Sequence, residues 1–259
     1  MNPNSIPKVL LTFSTFQKHR VRALLIGGQA CILYGAAEFS RDSDFVILCS
    51  EANLKRVRAA LGGLQAEQIY VPPLRASFLR RGHACHFRCH APGVEGLRVD
   101  LMAKMRGCDG FSRLWRRRHT VRLPGGEAIH VLSLRDLVQS KKTQRDKDWL
   151  MLKRLVDNDI LLHRKSPRRP QVRWWLLECR SAEFLMELAR EYPKAARRCA
   201  AARPALHRAV AGDVPALEAA LFEEERAERQ KDREYWTPLR QELEQLRRER
   251  LRHRIGRSS

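Results

Sequence analysis

The sequence predicts an α/β domain, a mixed β-sheet packed with helices, followed by an α-helical C-terminal region. Three observations predict it. An apolar run ends at Gly27-Gly28, and a short amphipathic segment leads to a second apolar run opened by Asp42 and Asp44. This reads as strand, glycine turn, short helix, strand. Short apolar runs then alternate with helical spacing as far as Leu132. Beyond Leu162 the composition shifts, and nearly every segment carries a helical pattern. The expected division is residues 1–164 for the α/β domain and 165–259 for a basic helical region.

Taken in order, Pro7 to His19 has an apolar stripe of Leu10, Leu11, Phe13 and Phe16, which predicts a helix. Val21 to Ile26 is the first strand, Gln29 to Gly35 a helix of about two turns, and Phe45 to Cys49 a short central strand. Ala52 to Leu64 returns to helical spacing. Leu79 to His90 and Gly96 to Met102 are the next strands, joined through Pro92-Gly93. Phe111 to Arg118 is a short basic helix or turn. Thr120 to Leu123 and Ala128 to Leu132 flank the turn Pro124-Gly125-Gly126. Ser133, with Asp136 three residues on, caps a strong helix. Lys165 to Pro170 reads as a linker. The helices Val172–Glu178, Ser181–Glu191, Pro193–Ala202, Pro215–Arg233 and Pro238–His253 follow, with Asp213 and Thr237 as N-caps. No internal repeat is present.

At 259 residues the chain can bury a sizeable core. Its net charge of +21 points to a polyanionic partner, nucleic acid first and an anionic membrane surface second. The longest apolar stretch, Ala23 to Ala37, is interrupted by Gly27, Gly28 and Gln29 and is too short to span a bilayer. The N-terminus lacks the pattern of a signal peptide. Seven scattered cysteines fit a reducing compartment, with most of them acting as small buried hydrophobes. A cytoplasmic protein without membrane contact is expected.

On a strand, residues i and i+2 point to the same face, about 7 Å apart. Asp42 and Asp44 therefore project together. Asp100, in an apolar strand, is costly to bury unless its charge is compensated. If the two strands pair, three carboxylates converge, a hard-oxygen set suited to Mg2+ or Mn2+. The bland alternative makes Asp42 a cap and Asp44 a strand start. Gly27 and Gly28 let backbone approach a ligand, and the next helix N-terminus offers amides to phosphate. Lys141, Arg145 and Asp148 fall at i, i+4 and i+7, one helical stripe, which in the bland alternative is a solvated ion-pair face.

The tract from His83 to His90 holds Cys85, His86 and Cys89 and invites a zinc assignment. As a strand it sets Cys85 and Cys89 about 13 Å apart, too far to share one ion. Cys85, Phe87 and Cys89 are expected on the core face and the histidines on the other. Trp174-Trp175 is expected to be helical core.

Gly27-Gly28, Asp42-Ser43-Asp44 and Asp100, in that order, resemble the signature of the DNA polymerase beta-like nucleotidyltransferase superfamily. The segment from Val131 to Asp148, through Leu137, Lys141, Arg145 and Asp148, is similar to the AbiEii-like, toxin-type bacterial branch. The resemblance covers roughly residues 8 to 160. It departs at Glu38, where many relatives carry arginine, and at Gly28, where the broader superfamily has serine. What it implies is a nucleotidyltransferase-type fold and transfer of an NMP from an NTP to a hydroxyl acceptor. Asp42, Asp44 and Asp100 would hold the metal ions, and Asp100 would also help deprotonate the acceptor. Gly27, Gly28, Ser40, Lys141, Arg145 and Asp148 would bind the nucleotide. The acceptor implied is RNA, such as a tRNA 3′ end, and an antitoxin partner is possible in that branch. The other readings are a catalytically weak nucleic-acid or partner-binding module, and an enzyme nucleotidylating a protein or small molecule.

Overall fold

The computed structural model describes residues 8–122 and 128–255. The expected turn Pro124-Gly125-Gly126 lies outside the described residues. By compactness the chain forms two units: Met1–Ile32 with Ala37–Ser140 and Tyr235–Ser259, and Leu33–Ala36 with Lys141–Glu234. The division thus falls between Ser140 and Lys141, not at the proline-rich stretch after Leu162.

The first unit is α/β. In chain order its elements are α1 (Lys8–Lys18), β1 (Ala23–Ile26), α2 (Gly27–Leu33), β2 (Asp42–Ile47), α3 (Glu51–Gly63), β3 (Glu67–Gln68) and α4 (Ala76–Arg81). There follow β4 (Cys85–Arg88), β5 (Arg98–Met102), α5 (Phe111–Arg116), β6 (His119–Arg122), β7 (Ala128–Val131) and α6 (Leu134–Ser140). Among the described residues the strands form one mixed sheet in the order β3-β4-β5-β2-β1-β7-β6. β2 runs parallel to β5 and antiparallel to β1.

The central strands alternate as their sequences require. Phe45 is fully buried and packs against Phe13 and Phe16 of α1, with ring centroids 5.3 and 4.8 Å apart. Its neighbour Asp44 therefore faces the other side of the sheet. Ser50 caps α3 by accepting a hydrogen bond from the Asn53 N–H at 3.3 Å. Asn53 is itself buried and ties the start of β1 to the end of β2, donating to the carbonyls of Arg22 and Leu48.

One strand expectation needs correction. Leu79–Arg81 is the end of α4, and the strand begins only at Cys85. Gly82, at φ +113°, is the left-handed C-cap of that helix, a stop that L side chains adopt only with strain. The core expectation holds beyond it, since Cys85, Phe87 and Cys89 are buried.

The second unit is helical: α7 (Asp146–His163), α8 (Arg169–Glu178), α9 (Ala182–Glu191), α10 (Pro193–Ala200) and α11 (Ala205–Ala211). α12 (Val214–Ile255) begins in this unit, and its residues from Tyr235 on count with the first. Trp175 is core, fully buried, and its indole N–H donates to Asp159 at 2.6 Å. Buried Arg203 donates to the carbonyls of Leu176 and Cys179 and to Glu224, so its charge is matched.

Two further expectations change. The helix begun at Ser133 is two helices, because the chain leaves helical geometry from Lys141 to Arg145. The two terminal helices are one, with Pro238 in its interior, so Thr237 is not a cap. A proline there removes one backbone hydrogen bond and bends the helix but need not end it. α11, only seven residues long, is a helix that the sequence reading did not mark. Among the described residues no helix is long and apolar enough to cross a membrane.

Candidate active site

Sheet register builds the site. β1 ends at Ile26, which pairs with Asp44 across the antiparallel ladder. The chain must turn away at Gly27, directly beside the Asp44 carboxylate. Gly27 has φ +68°, and a Cβ there would collide with Asp44 Oδ2. A Cβ on Gly28 would meet Ser40 Oγ at 2.5 Å. Two glycines are therefore required, the first by its φ and both by close approach. α2 starts at Gly27 itself, two residues earlier than the apolar pattern suggests. The loop before β2 is tied to that start: Gln29 donates to the Ser40 carbonyl at 3.0 Å, and Ser40 Oγ donates to the Asp42 carbonyl at 3.2 Å.

β2 spans Asp42–Ile47, so both aspartates lie within the strand and share one face. In the parallel ladder Asp44 is the partner of Asp100 and Asp42 the partner of Arg98. β4 extends the rows, with His86 opposite Asp100 and Arg88 opposite Arg98. Adjacent strands lie about 4.8 Å apart. One row across three strands therefore reads Asp44, Asp100, His86, and the next reads Asp42, Arg98, Arg88.

Asp100 is 7% exposed and fully engaged. Arg98 donates to both its oxygens, at 2.8 and 2.7 Å, and His86 Nδ1 lies 2.8 Å from Oδ1. Burial alone would push this carboxyl up. The hydrogen bonds and charges of His86 and Arg98 outweigh it and hold Asp100 below the usual carboxylate range. The Asp100 hydrogen bond likewise holds the Arg98 guanidinium charged, against its partial burial. Tyr70 covers the pair, with its ring 5.7 Å from that of His86 and 5.8 Å from the Arg98 guanidinium.

Beside Ser40 lies a hollow of about 570 Å3 lined by Lys8, Gln29, Glu38, Phe39 and Arg41 among others. Phe39 is 71% exposed. Glu38, the residue that departs from the resemblance, belongs to this wall.

Lys141, Arg145 and Asp148 do come together, by a route other than a helical stripe. They gather within the second unit, across the non-helical stretch from Lys141 to Arg145. Lys141 Nζ donates to Asp148 Oδ1 at 2.8 Å, and Thr143 Oγ1 and Arg145 Nε each donate to Oδ2 at 2.7 Å. Asp148 is fully buried and Lys141 nearly so. Burial raises the Asp148 pKa, but the charges of Lys141 and Arg145 prevail and leave it lowered. The Lys141 ammonium is thus committed to a carboxylate within its own unit.

A hard divalent cation suits the chemistry of Asp42 and Asp44, which share a face and offer only oxygen. Among the described residues, however, no three His, Cys, Asp or Glu gather closely enough to hold a metal ion. Asp100 holds Arg98 and His86 in place of a cation. The fit is therefore in kind, with Asp42 and Asp44 as ligands and Asp100 available only if Arg98 turns away. Burial pushes the Cys85 thiol up to about 12 and the Cys89 thiol to about 11, as suits small buried hydrophobes.

Sequence reasoning missed Arg98 and His86. Arg98 carried a signal, since it stands two residues before Asp100 and so shares its strand face. His86 carried none, because only the β4–β5 pairing brings it to the site. No family model matches the chain, and no curated protein is detectably similar to it.

Proposed function

We propose that the chain is a metal-dependent nucleotidyltransferase that moves an NMP from an NTP to a hydroxyl acceptor, with RNA as the acceptor. One observation carries this reading: Asp44 and Asp100 are direct partners on neighbouring parallel strands, and Gly27 is packed against the Asp44 carboxylate. A buried-strand aspartate pair beside a side-chain-free turn serves no packing purpose that apolar residues would not serve better.

When bound at Asp42 and Asp44, Mg2+ or Mn2+ would neutralise phosphate charge and activate the acceptor oxygen. The chain's own residues have distinct tasks. Gly27 and Gly28 let the Asp44 carboxylate and the Ser40 side chain lie directly against the turn. Ser40 presents its hydroxyl beside them, and Lys8 and Arg41 supply positive charge to the adjoining hollow. Asp100, with its lowered pKa, is better suited to holding positive charge than to removing a proton. The net charge of +21 favours a polyanionic acceptor over a small neutral molecule.

The test is label transfer. The protein is incubated with Mg2+, each labelled NTP and total RNA or total protein, beside Asp44→Asn. Label entering RNA at a rate at least a hundredfold above the variant is expected, the loss typical of removing one electrostatic group from a transition state. No transfer above the variant would sink the enzyme reading, and label in protein would sink the RNA acceptor.

A second reading is a nucleic-acid-binding module on the same frame. The engagement of both Asp100 oxygens by Arg98 and His86 favours it. Salt-dependent RNA binding without label transfer is its signature.

A further inference from the structure

We propose that a hollow at the start of β1, walled by Arg20, Arg22 and Arg118 around Trp115, is a second binding site that takes a nucleoside phosphate. The proposal stands whether or not the carboxylate site transfers nucleotides. The hollow is about 400 Å3, at the small end of ligand pockets and of a size for one nucleotide. It lies at the opposite end of β1 from Gly27. Arg22 stands four residues before Ile26, roughly 13 Å along the strand direction.

Its charge is what demands a ligand. Among the described residues the lining holds three arginines and no carboxylate. Several arginines elsewhere are paired with carboxylates: Arg98 with Asp100, Arg117 with Asp136, Arg203 with Glu224. Here two guanidiniums are held instead by an aromatic ring, Arg118 at 4.2 Å and Arg22 at 5.0 Å from the Trp115 centroid. Stacking of this kind orients a guanidinium without neutralising it, and leaves the N–H groups not otherwise engaged for a phosphate.

The frame is rigid. Phe111 stacks on Trp115 at 5.5 Å. Arg118 donates from Nη1 to the Trp115 carbonyl at 2.7 Å and from Nε to His130 Nδ1 at 3.3 Å. Arg22 is fixed through its backbone, whose N–H donates to Asn53 Oδ1 at 2.8 Å. His130 accepts at Nδ1 and so presents Nε2 as a donor. Burial, and then the nearby charges of Arg118 and Arg22, hold its pKa below the ordinary histidine value, so it stays neutral. Phe16 and Phe45 supply an apolar floor. Arginines on the rim and an apolar floor match a phosphate joined to a flat base. The nucleotide can be free or a unit of an RNA strand, which share this chemistry.

The experiment is equilibrium calorimetry on the full chain, with EDTA present so that metal-dependent binding is silent. AMP, adenosine, inorganic phosphate and a short single-stranded RNA are titrated into wild type, Arg118→Gln, Arg22→Gln and Asp44→Asn, each checked for an unchanged melting temperature. AMP is expected to bind wild type and Asp44→Asn alike, and at least tenfold more weakly in Arg118→Gln and in Arg22→Gln. Adenosine is expected to bind more weakly than AMP. RNA that displaces AMP and binds more tightly identifies the strand as the source, and AMP without RNA competition identifies the free nucleotide. AMP binding lost in Asp44→Asn but retained in both arginine variants, adenosine equal to AMP, or no binding at all would overturn the proposal.

Discussion

The α-carbon of Gly27 lies against the Asp44 carboxylate, so close that a methyl group on it would clash with Oδ2. The relation follows from register, since the last residue of β1 is the partner of Asp44. Gly27→Ala must adopt φ near +68° and displace that carboxylate as well. A loss of about 1–3 kcal/mol in stability is expected, with label transfer falling to the level of Asp44→Asn. Gly28→Ala has no positive φ and meets only the Ser40 side chain, so it should cost less. Denaturant unfolding of both variants checks the ranking, and equal costs would count against it.

The buried cluster around Asp148 makes a separate prediction. Asp148→Asn leaves the Lys141 ammonium buried without a counter-charge, which should destabilise by about 3–5 kcal/mol. The double variant Lys141→Met with Asp148→Leu should recover part of that loss, because no lone charge remains. Urea unfolding of the single and double variants measures the coupling. Additive losses would show that the pair does not act as one.

Acid stability follows from the two lowered carboxyls. Asp100 and Asp148 titrate below the ordinary aspartate value in the folded chain. Each therefore adds stability that is complete above an unfolded pKa of about 3.9 and is lost as pH falls through its lower folded value. Asp157 runs the other way. Burial raises its pKa despite the Ser181 hydrogen bond, so stability is lost as rising pH ionises it. Unfolding followed from pH 7 to pH 2 should show the steepest loss below about pH 4. Arg98→Gln should shrink that loss by removing one of the two partners, with His86, that lower Asp100, and an unchanged acid limb would contradict the assignment.

Much of the site was legible before the fold. Asp42, Asp44 and Gly27-Gly28 were marked only in combination, because an aspartate pair or a glycine pair alone reads as readily as a cap or a turn. Asp100 was marked by its cost in an apolar run. The alternation that set Cys85, Phe87 and Cys89 inward was equally plain, although Leu79–Arg81 was misread because a short helix and a short strand have similar apolar runs. The shared stripe of Lys141, Arg145 and Asp148 assumed one continuous helix. Their contact in fact forms across a break between two helices, from Lys141 to Arg145, which the helical period does not encode.

What the sequence determined by itself was therefore local: periodicity, glycine turns, caps such as Asp213, and the excess of positive charge. Those depend on residues within a few positions of one another. Strand pairing was decided only in three dimensions. It put His86 against Asp100, and packing brought Arg22 onto the Trp115 ring beside Arg118. Such contacts join residues that are distant along the chain, and their existence depends on register and packing across the whole sheet, which short windows of sequence do not contain.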